Sequence, residues 1–487
     1  MPEKFEYDKQ KNFSEWYTEV LKQAELIDQR YPVKGFIVHR PMATICENLM
    51  YEIYERELQK TGHKPAMFPA VIPESFFEKE KEHVEGFAPG VFWVTRGGDE
   101  REFEEKLALR PTSETAMYSM YAQWIRSYKD LPLKIYQRCQ VWRYETKATR
   151  PLLRGREFYW IESHDCFATA EEAERQVLED IETTEKVIRR EFGVPFYFFK
   201  RPEWDKFAGS VYSFACDVLT PDGKVVQQPS THYYAQKFSE PFGIKFEDKD
   251  GKETYVYQTT YGPAISRILA SVISTHGDNR GLRLPWSIAP YQVVIVPITK
   301  KESTIEVLKY ATKIFSHLRK REIRVELDES DKRPGEKFYH WELRGACVRF
   351  EIGGKEAEER TITAARRDNG KKEKISEEQL DTYLNNIGDK ILESLRKEAD
   401  EHFKGNIHSA STTAEIKKAL DVGGFVRIPF CSRDADGTAC AEQLKADTEG
   451  GQVRGTLHGK DETPAVGDKC PVCGKQAKVI VYVAKSY

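Results

Sequence analysis

A cluster of charged side chains suited to binding anions lies between residues 143 and 157. Arg143 and Glu145 are two residues apart, so their side chains are predicted to point to the same face of a strand, and Arg154, Arg156 and Glu157 follow after a loop. Charged runs usually face water, so a solvated surface is one interpretation. If the surrounding segment is buried, the arginines need anionic partners, and their forked guanidinium groups match carboxylates and phosphates.

The segments on either side of this loop favour burial. Residues 134–143 and 157–164 are rich in β-forming types, and they include Trp142, Phe158 and Trp160. This pattern predicts a long antiparallel hairpin that is at least half buried. We therefore expect the arginines to bind an anion, and the phosphates of ATP fit that need.

Glycine-rich phosphate loops are missing from the sequence. Neither a Walker-type loop nor a Gly-x-Gly-x-x-Gly fingerprint is present. If this protein uses ATP, arginine side chains and a metal ion must hold the phosphates.

Four of the nine cysteines lie near the end of the chain. Cys470 and Cys473 form a Cys-x-x-Cys knuckle, and Cys431 and Cys440 could complete four thiolate ligands. Such a set predicts a closed, structural zinc site, and free buried cysteines are the alternative.

Composition narrows the protein class. The 487 residues carry a net charge of −3, which gives no overall support for an RNA partner, although local patches matter more than the sum. The odd number of cysteines, the polar beginning of the sequence and the lack of an apolar run of about 18 residues predict a cytoplasmic protein without a membrane span.

Three units follow from the order of predicted elements. Residues 1–285 mix helices with scattered strands, including a helix through Trp16 and Ile27 and another that begins at a Thr169–Glu172 capping box. Residues 286–400 alternate strands and helices as in a compact α/β domain, beginning with a βαβ unit. Residues 401–487 form a third unit that contains the cysteine quartet.

Three motifs, in order, resemble those of class II aminoacyl-tRNA synthetases. Residues 143–145 with 154–158 look like motif 2. Phe68-Pro69 resembles motif 1, whose proline follows a long helix at a dimer interface, and residues 262–267 resemble motif 3. Ala264 stands where motif 3 often has a second glycine.

Other segments are similar to the proline-specific subgroup. They are residues 109–115, 206–209, 227–232 and 333–338, and the cysteine-containing tail resembles the archaeal and eukaryotic-type branch. The resemblance implies an α+β catalytic domain on a mostly antiparallel sheet, then an α/β anticodon-binding domain and a small α+β zinc-binding domain. It also implies a homodimer that activates L-proline with ATP and Mg²⁺ and transfers proline to tRNA.

The resemblance implies the following site residues. Arg143, Glu145 and Arg267 would be catalytic. Proline would contact Thr112, Glu114, Arg143, Trp160, Glu162, His164, Phe207 and His232. ATP would contact Arg143, Glu145, Arg154, Gln227, Ser230, Ser266 and Arg267. The tRNA anticodon would contact Glu342, Arg344, Arg349, Lys355 and Arg366, with Arg367 nearby.

Each assignment has an alternative without a function. Thr112 and Glu114 are also typical of the start of a helix, and Arg267 is also typical of a first helical turn. The anticodon candidates could simply form a charged face in contact with solvent.

A proline-specific enzyme can discriminate only weakly against smaller amino acids, because each missing methylene weakens binding by only about 1–3 kcal/mol. The short spacing between Arg143 and Arg267 leaves no room for the editing insertion of bacterial relatives, so we expect misactivation of cysteine or alanine.

Two other functions remain open. A threonyl, seryl or glycyl relative is disfavoured by the 112–114 loop and the region of His232. A non-enzymatic paralogue is disfavoured because such proteins typically lose the motif arginines, whereas Arg143, Arg154 and Arg267 are all present.

Overall fold

A computed structural model describes residues 5–78, 90–300 and 303–487. Its first helices are α1 (Phe13–Gln23), α2 (Pro41–Lys60), α3 (Glu74–Glu78), α4 (Glu114–Trp124), α5 (Ala170–Thr184), α6 (Ser239–Phe242) and α7 (Ile265–His276). The strands of the same region are β1 (Ile27–Asp28), β2 (Val38–His39), β3 (Lys64–Pro65), β4 (Val71–Pro73), β5 (Phe92–Arg96), β6 (Glu102–Leu109), β7 (Leu133–Trp142), β8 (Glu157–Phe167), β9 (Phe196–Lys200), β10 (Tyr212–Leu219), β11 (Val225–Ala235), β12 (Lys245–Glu247), β13 (Glu253–Tyr255) and β14 (Tyr257–Gly262).

The predicted hairpin is confirmed as β7 and β8. These strands pair antiparallel from Leu133 opposite Cys166 to Trp142 opposite Glu157. Strands β14, β11, β10 and β9 continue the sheet beyond β8 with antiparallel pairing, whereas the short edge strand β3 runs parallel to β7. The predicted mostly antiparallel sheet is therefore confirmed.

Helices cover one face of this sheet. The Thr169–Glu172 capping box begins α5 as predicted, and the helix continues as a π-helix over Glu185–Glu191. The prediction that the first helix includes Ile27 is wrong. Helix α1 is capped by Ala24, and the chain turns at Glu25, whose φ of 60° breaks the helix, so that Ile27 belongs to β1.

The second unit is a five-stranded sheet with helices. Its elements are β15 (Val293–Pro297), α8 (Thr304–Lys320), β16 (Val325–Leu327), α9 (Pro334–Leu343), β17 (Val348–Ile352), α10 (Gly354–Glu359), β18 (Thr361–Arg366), β19 (Lys372–Ser376) and α11 (Leu380–Gly405). Strands β16, β15 and β17 are parallel, which confirms the βαβ unit, and β18 and β19 add antiparallel strands. Helix α11 runs past residue 400, and the domain boundaries stay predictions.

The third unit extends the first sheet. It contains β20 (Ile407–Ser409), α12 (Thr413–Val422), β21 (Phe425–Phe430), α13 (Thr438–Asp447), β22 (Gln452–Leu457) and β23 (Val479–Ala484). Strand β22 pairs antiparallel with β9, with Thr456 opposite Lys200, so that one sheet of 11 strands runs through both units. Sequence patterns do not indicate this junction, because strand pairing between distant segments leaves no local signal.

Within the part of the chain that the structure describes, we find no helix that is both long and apolar enough to cross a bilayer.

Candidate active site

A cavity of about 240 Å³ lies on the sheet face formed by β8, β14, β11 and β10. Side chains alternate between the two faces of a strand, so Trp160 and Glu162 of β8 point into it together. Strand register brings His232 opposite both Thr260 and Ser213. The predicted site residues that line this cavity are Thr112, Glu114, Arg143, Trp160, Glu162, Phe207, Gln227, Ser230, His232 and Arg267.

Arg143 lies directly after β7 and reaches into the cavity. Its Nε donates to the carbonyl oxygen of Pro111 at 3.0 Å, and its guanidinium carbon lies 5.3 Å from the ring centre of Phe158 and 5.6 Å from that of Trp160. Burial lowers the pKa of Arg143, while nearby carboxylates, chiefly Glu162, oppose the shift. The charge is thus held in a desolvated position, where an anionic ligand would stabilise it.

Arg267 brings a second cation to the same cavity. It lies in the first turn of α7, and its guanidinium donates to the carbonyl oxygens of Leu153 and Gln227, each at 3.2 Å. Burial, together with the positive charges of Arg143 and Arg154, lowers its pKa to about 10. Because Arg143 and Arg154 lower the pKa of Arg267, the site suits a strongly anionic ligand that would offset their positive charges.

An acidic group lies at the other end of the cavity. The hydroxyl of Thr112 hydrogen-bonds to Glu114, and it also lies 2.9 Å from Oε1 of Glu162. Tyr234 donates to Oε1 of Glu114 at 3.2 Å. Glu114 and Glu162 are 5% and 2% exposed, and Oε2 of Glu162 has no hydrogen-bond partner among the described residues. A buried carboxylate needs a cationic partner, so this end suits an ammonium group.

Aromatic rings close the acidic end. The rings of Phe207 and His232 lie 4.8 Å apart, and His232 contacts the hydroxyls of Ser213 at 2.7 Å and Ser230 at 3.1 Å. Burial, then the charges of Arg201 and His164, lower the pKa of His232 to about 3, so the imidazole is neutral at physiological pH.

The ring of Trp160 lies against Gly262. A Cβ at that position would lie 2.6 Å from the indole, so the glycine is needed for this contact.

His164 does not line the cavity. It is 1% exposed behind the cavity wall, where Tyr118 hydrogen-bonds to its Nδ1 at 3.2 Å. Its Nε2 lies 4.0 Å from Oε2 of Glu162 and has no hydrogen-bond partner among the described residues.

Glu145, Arg154 and Ser266 also lie outside the cavity. Strand β7 ends at Trp142, so the two-residue alternation that would place Glu145 beside Arg143 does not continue. Glu145 instead lies 3.8 Å from Arg154. Arg154 and Ser266 line a second cavity of about 220 Å³, and Nη2 of Arg154 donates to the backbone oxygen of Tyr487 at 2.9 Å.

The structure adds cavity residues that sequence reasoning missed. Arg201, Asp205, Lys206, Ser213 and Gln228 all line it. Lys206 belongs to residues 206–209, one of the segments that resemble the proline-specific subgroup. Arg201 gave no sequence signal, because its buried partner Asp217 lies on another strand, and the contact depends on how β9 and β10 pair.

The four C-terminal cysteines come together as predicted. The Sγ atoms of Cys431, Cys440, Cys470 and Cys473 all lie within 4.8 Å of one another. A tetrahedron of thiolates with metal–sulfur bonds of about 2.3 Å has sulfur–sulfur distances of about 3.8 Å, so a small contraction would complete it. The remaining five cysteines are buried free thiols.

The anticodon candidates are divided between several places. Glu342, Arg349 and Arg366 line a cavity of about 130 Å³ with Arg367, and Nη1 of Arg349 lies 3.0 Å from Glu342. The other two candidates lie elsewhere. Arg344 forms an ion pair with Glu25 at 2.5 Å, and Lys355 is a solvent-exposed residue of α10 that lies 3.8 Å from Glu359.

Three family models match this chain. They describe the class II tRNA synthetase core domain (G, H, P, S and T) over residues 92–276, an anticodon-binding domain over 292–387, and a prolyl-tRNA synthetase C-terminal domain over 413–487.

Relatives match over nearly the full length. Proline--tRNA ligases of Thermofilum pendens and Pyrococcus abyssi are 51% and 46% identical, each over 98% of both chains. The structure of Giardia lamblia prolyl-tRNA synthetase in complex with prolyl-adenylate superposes with a TM-score of 0.94, at 38% identity over 99% of this chain and 100% of that one. The structure of Cryptosporidium parvum prolyl-tRNA synthetase complexed with halofuginone and AMPPNP superposes with a TM-score of 0.93, at 32% identity over 99% of both chains. With this identity over nearly its whole length, the chain belongs to the proline--tRNA ligases, a family of class II aminoacyl-tRNA synthetases.

Proposed function

We propose that the cavity binds L-proline at its acidic end and ATP at its basic end, and that it joins them as prolyl-adenylate before transfer to tRNA. The observation that carries this assignment is the position of Arg143. Its charge interacts with Glu162 and Glu114 on one side and with Arg267 on the other. The Giardia relative binds prolyl-adenylate, and the Cryptosporidium relative binds AMPPNP, which supports the same use of this cavity.

Proline binding follows from the charges of its two ends. The secondary ammonium would donate to Glu114 and Thr112, with Glu162 close by, and the carboxylate would pair with the guanidinium of Arg143. The rings of Trp160 and Phe207 would enclose the pyrrolidine. The neutral state of His232 keeps a further positive charge away from the ammonium.

Activation requires no nucleophilic side chain. The proline carboxylate attacks the α-phosphorus of ATP in line, the bond to the β-phosphate oxygen breaks, and pyrophosphate leaves. Such a transition state is stabilised mainly by positioning and by cations. Arg143 would hold the carboxylate and the α-phosphate together, and Arg267 and Arg154 would neutralise the other phosphates. Mg²⁺ would bind with ATP and supply further charge neutralisation.

Transfer to tRNA completes the reaction. The terminal ribose hydroxyl of tRNA attacks the prolyl carbonyl, and AMP leaves. The second unit would bind the anticodon at the cavity lined by Glu342, Arg349 and Arg366, because unstacked bases are recognised through hydrogen bonds to their edges. Arg344 and Lys355 lie away from this cavity, so they would contact tRNA only if the bound tRNA also covered the surface beyond the cavity.

Proline-dependent exchange between pyrophosphate and ATP tests the function directly. Each of the twenty amino acids is supplied in turn, with and without tRNA. We expect exchange with proline to exceed that with threonine, serine or glycine by more than about 100-fold, because those amino acids lack the ring that the aromatic wall encloses. No exchange with proline would refute the function and would favour a non-enzymatic paralogue.

We further propose that cysteine and alanine are misactivated and are not removed. The segment between motif 2 and motif 3 is accounted for by elements β8 to β14. All of these strands belong to the catalytic sheet except β12 and β13, which pair with each other in a short antiparallel hairpin. This arrangement supports the absence of an editing insertion. Rapid hydrolysis of purified alanine-charged tRNA by this protein alone would contradict the proposal.

A structural zinc ion is our proposal for the four-cysteine cluster. Four clustered thiol sulfurs suit Zn²⁺, and the cluster lies where α13 and the loop before β23 meet. Such a site would be closed, so the ion would stabilise the third unit without taking part in the reaction.

We also infer a homodimer in the cytoplasm, where tRNA is charged. Supporting the dimer are large apolar side chains exposed near the motif 1 segment, with Met67 at 87% and Trp124 at 44%. Sedimentation of the protein and of a Met67→Lys variant tests this, and a monomeric native protein would contradict it.

A further inference from the structure

A buried ion-pair cluster joins the third unit to the wall of the central cavity. Asp217 of β10 accepts hydrogen bonds from two arginines through both of its carboxylate oxygens. Arg201 contributes bonds of 2.8 and 3.1 Å, and Arg454 of β22 contributes bonds of 2.7 and 3.0 Å. Arg201 also donates to the backbone oxygen of Arg454 at 3.0 Å.

All three side chains are removed from solvent. Their exposed fractions are 5% for Arg201, 0% for Asp217 and 4% for Arg454. Each carboxylate oxygen of Asp217 accepts hydrogen bonds from the guanidinium groups of both Arg201 and Arg454. This arrangement fixes the orientation of Arg201 more tightly than an ion pair between Arg201 and Asp217 alone.

Arg201 continues the contact to Gln227, a cavity residue. Nη2 of Arg201 donates to the side-chain oxygen of Gln227 at 3.3 Å. A guanidinium can only donate, so it selects the amide orientation in which the oxygen faces Arg201. The amide nitrogen, which can only donate, is then left for a ligand in the cavity. The backbone oxygen of Gln227 is held independently by Arg267 at 3.2 Å.

We propose that Arg454 of the third unit is a positioning residue for the nucleotide site, and that it acts through Asp217 and Arg201 to present the side-chain N–H donors of Gln227 to ATP. This inference rests on the proposed function, in which Gln227 faces the nucleotide. The third unit thereby contributes to ATP binding without touching ATP.

Substitution of Arg454 by methionine tests the inference. Asp217 keeps its bidentate pair with Arg201 in this variant, so no buried charge is left unpaired and the fold should persist. We expect the KM for ATP in proline-dependent exchange to rise about fivefold to tenfold, as for loss of one oriented hydrogen bond. The KM for proline and kcat should change less than about twofold, because the Arg454 side chain hydrogen-bonds, among the described residues, to Asp217 and Gln452 and to no residue of the acidic end.

The matched control is Arg427→Met. Arg427 is also an arginine of the third unit that pairs with a carboxylate, Glu462 at 2.8 Å, but it has no contact with the cavity wall. We expect an unchanged KM for ATP in this variant. An equal rise in both variants would show a general effect of the third unit and would overturn the inference.

A double-variant cycle tests the route through Gln227. In a Gln227→Ala background, Arg454→Met should raise the KM for ATP no further, whereas additive effects would overturn the proposed route. If Arg454→Met does not fold, Arg454→Lys serves instead, because lysine keeps the charge and loses the fork. Its KM for ATP should rise at least about twofold in the native background and not in Gln227→Ala. Absence of exchange in the unmodified protein would refute the proposed function, whereas normal exchange with an unchanged KM for ATP in Arg454→Met would refute only this inference.

Discussion

Replacing Arg143 by alanine should abolish most adenylate formation while leaving the fold intact. The guanidinium is half-buried beside Glu162 on one side and near Arg267 on the other, which is why we propose that it contacts both reacting substrates. The alanine substitution removes a positive charge that is already held in place before the reaction begins. Groups that are preorganised in this way stabilise the transition state more than the bound substrates.

The size of the effect follows from the interactions that the guanidinium makes. One preorganised donor in an oxyanion site contributes about 3–4 kcal/mol, so we expect the kcat/KM for proline-dependent exchange to fall by about 150- to 1,000-fold. Stability should change little, because relief of the burial penalty offsets the loss of the Pro111 hydrogen bond and of the packing against Phe158 and Trp160. A net change of about 1 kcal/mol shifts the Tm by about 2–4 °C.

The matched control is Arg138→Ala on the same strand. Arg138 points to the opposite side, where its guanidinium carbon lies 3.9 Å from the ring centre of Tyr51 and it hydrogen-bonds to Asn48. Exchange should remain within about threefold of the native rate, as for an exposed contact worth under 1 kcal/mol. The assignment of Arg143 fails if its alanine variant keeps exchange within about tenfold of the native rate while its Tm is unchanged.

Three further outcomes follow from the same geometry. Glu114→Gln should raise the KM for proline by about 10- to 100-fold in exchange assays, because a buried ammonium loses a charged acceptor, with a KM for ATP that changes little; equal rises in both constants would contradict this role. Cys440→Ser should lower bound zinc, measured by atomic absorption, well below one ion per chain and lower the Tm, whereas unchanged zinc would exclude Cys440 as a ligand. Burial, Arg201 and His164 hold the pKa of His232 at about 3, so the unfolded chain binds a proton below about pH 6.5 that the folded chain does not, and acid destabilises the fold. His232→Gln removes this cost, and urea unfolding should show the variant gaining about 2 kcal/mol relative to the native protein between pH 7 and pH 5; a constant difference would contradict the buried neutral imidazole.

Local patterns predicted the elements that form the frame of the site. The hairpin of β7 and β8 was visible from its β-rich segments, and the capping box at Thr169 located the start of α5, because both signals depend on neighbouring residues. Motif resemblance then located half of the 20 residues that line the cavity. Glu145 shows the limit of pattern reasoning. Two-residue alternation holds only while the strand continues, and β7 ends at Trp142.

Contacts between distant segments could not be predicted in this way. Arg201 and Arg454 are separated by more than half of the chain, yet they share one carboxylate of Asp217. Each alone is typical of an exposed surface arginine, and only the pairing of β22 with β9 brings them together. The same pairing explains why the third unit is not a separate appendage, since its strands complete the sheet that carries the cavity.

The charges that line the cavity determine which end each substrate can occupy. The buried carboxylates of Glu114 and Glu162 repel phosphate, and the guanidinium groups of Arg143 and Arg267 repel ammonium, so each substrate has one favourable end of the cavity. A carboxylate and an α-phosphate can meet only at the boundary between these fields, where Arg143 lies. The in-line attack therefore needs no side chain that forms a bond. In the proposed reaction, the protein holds two mutually repelling anions on one guanidinium.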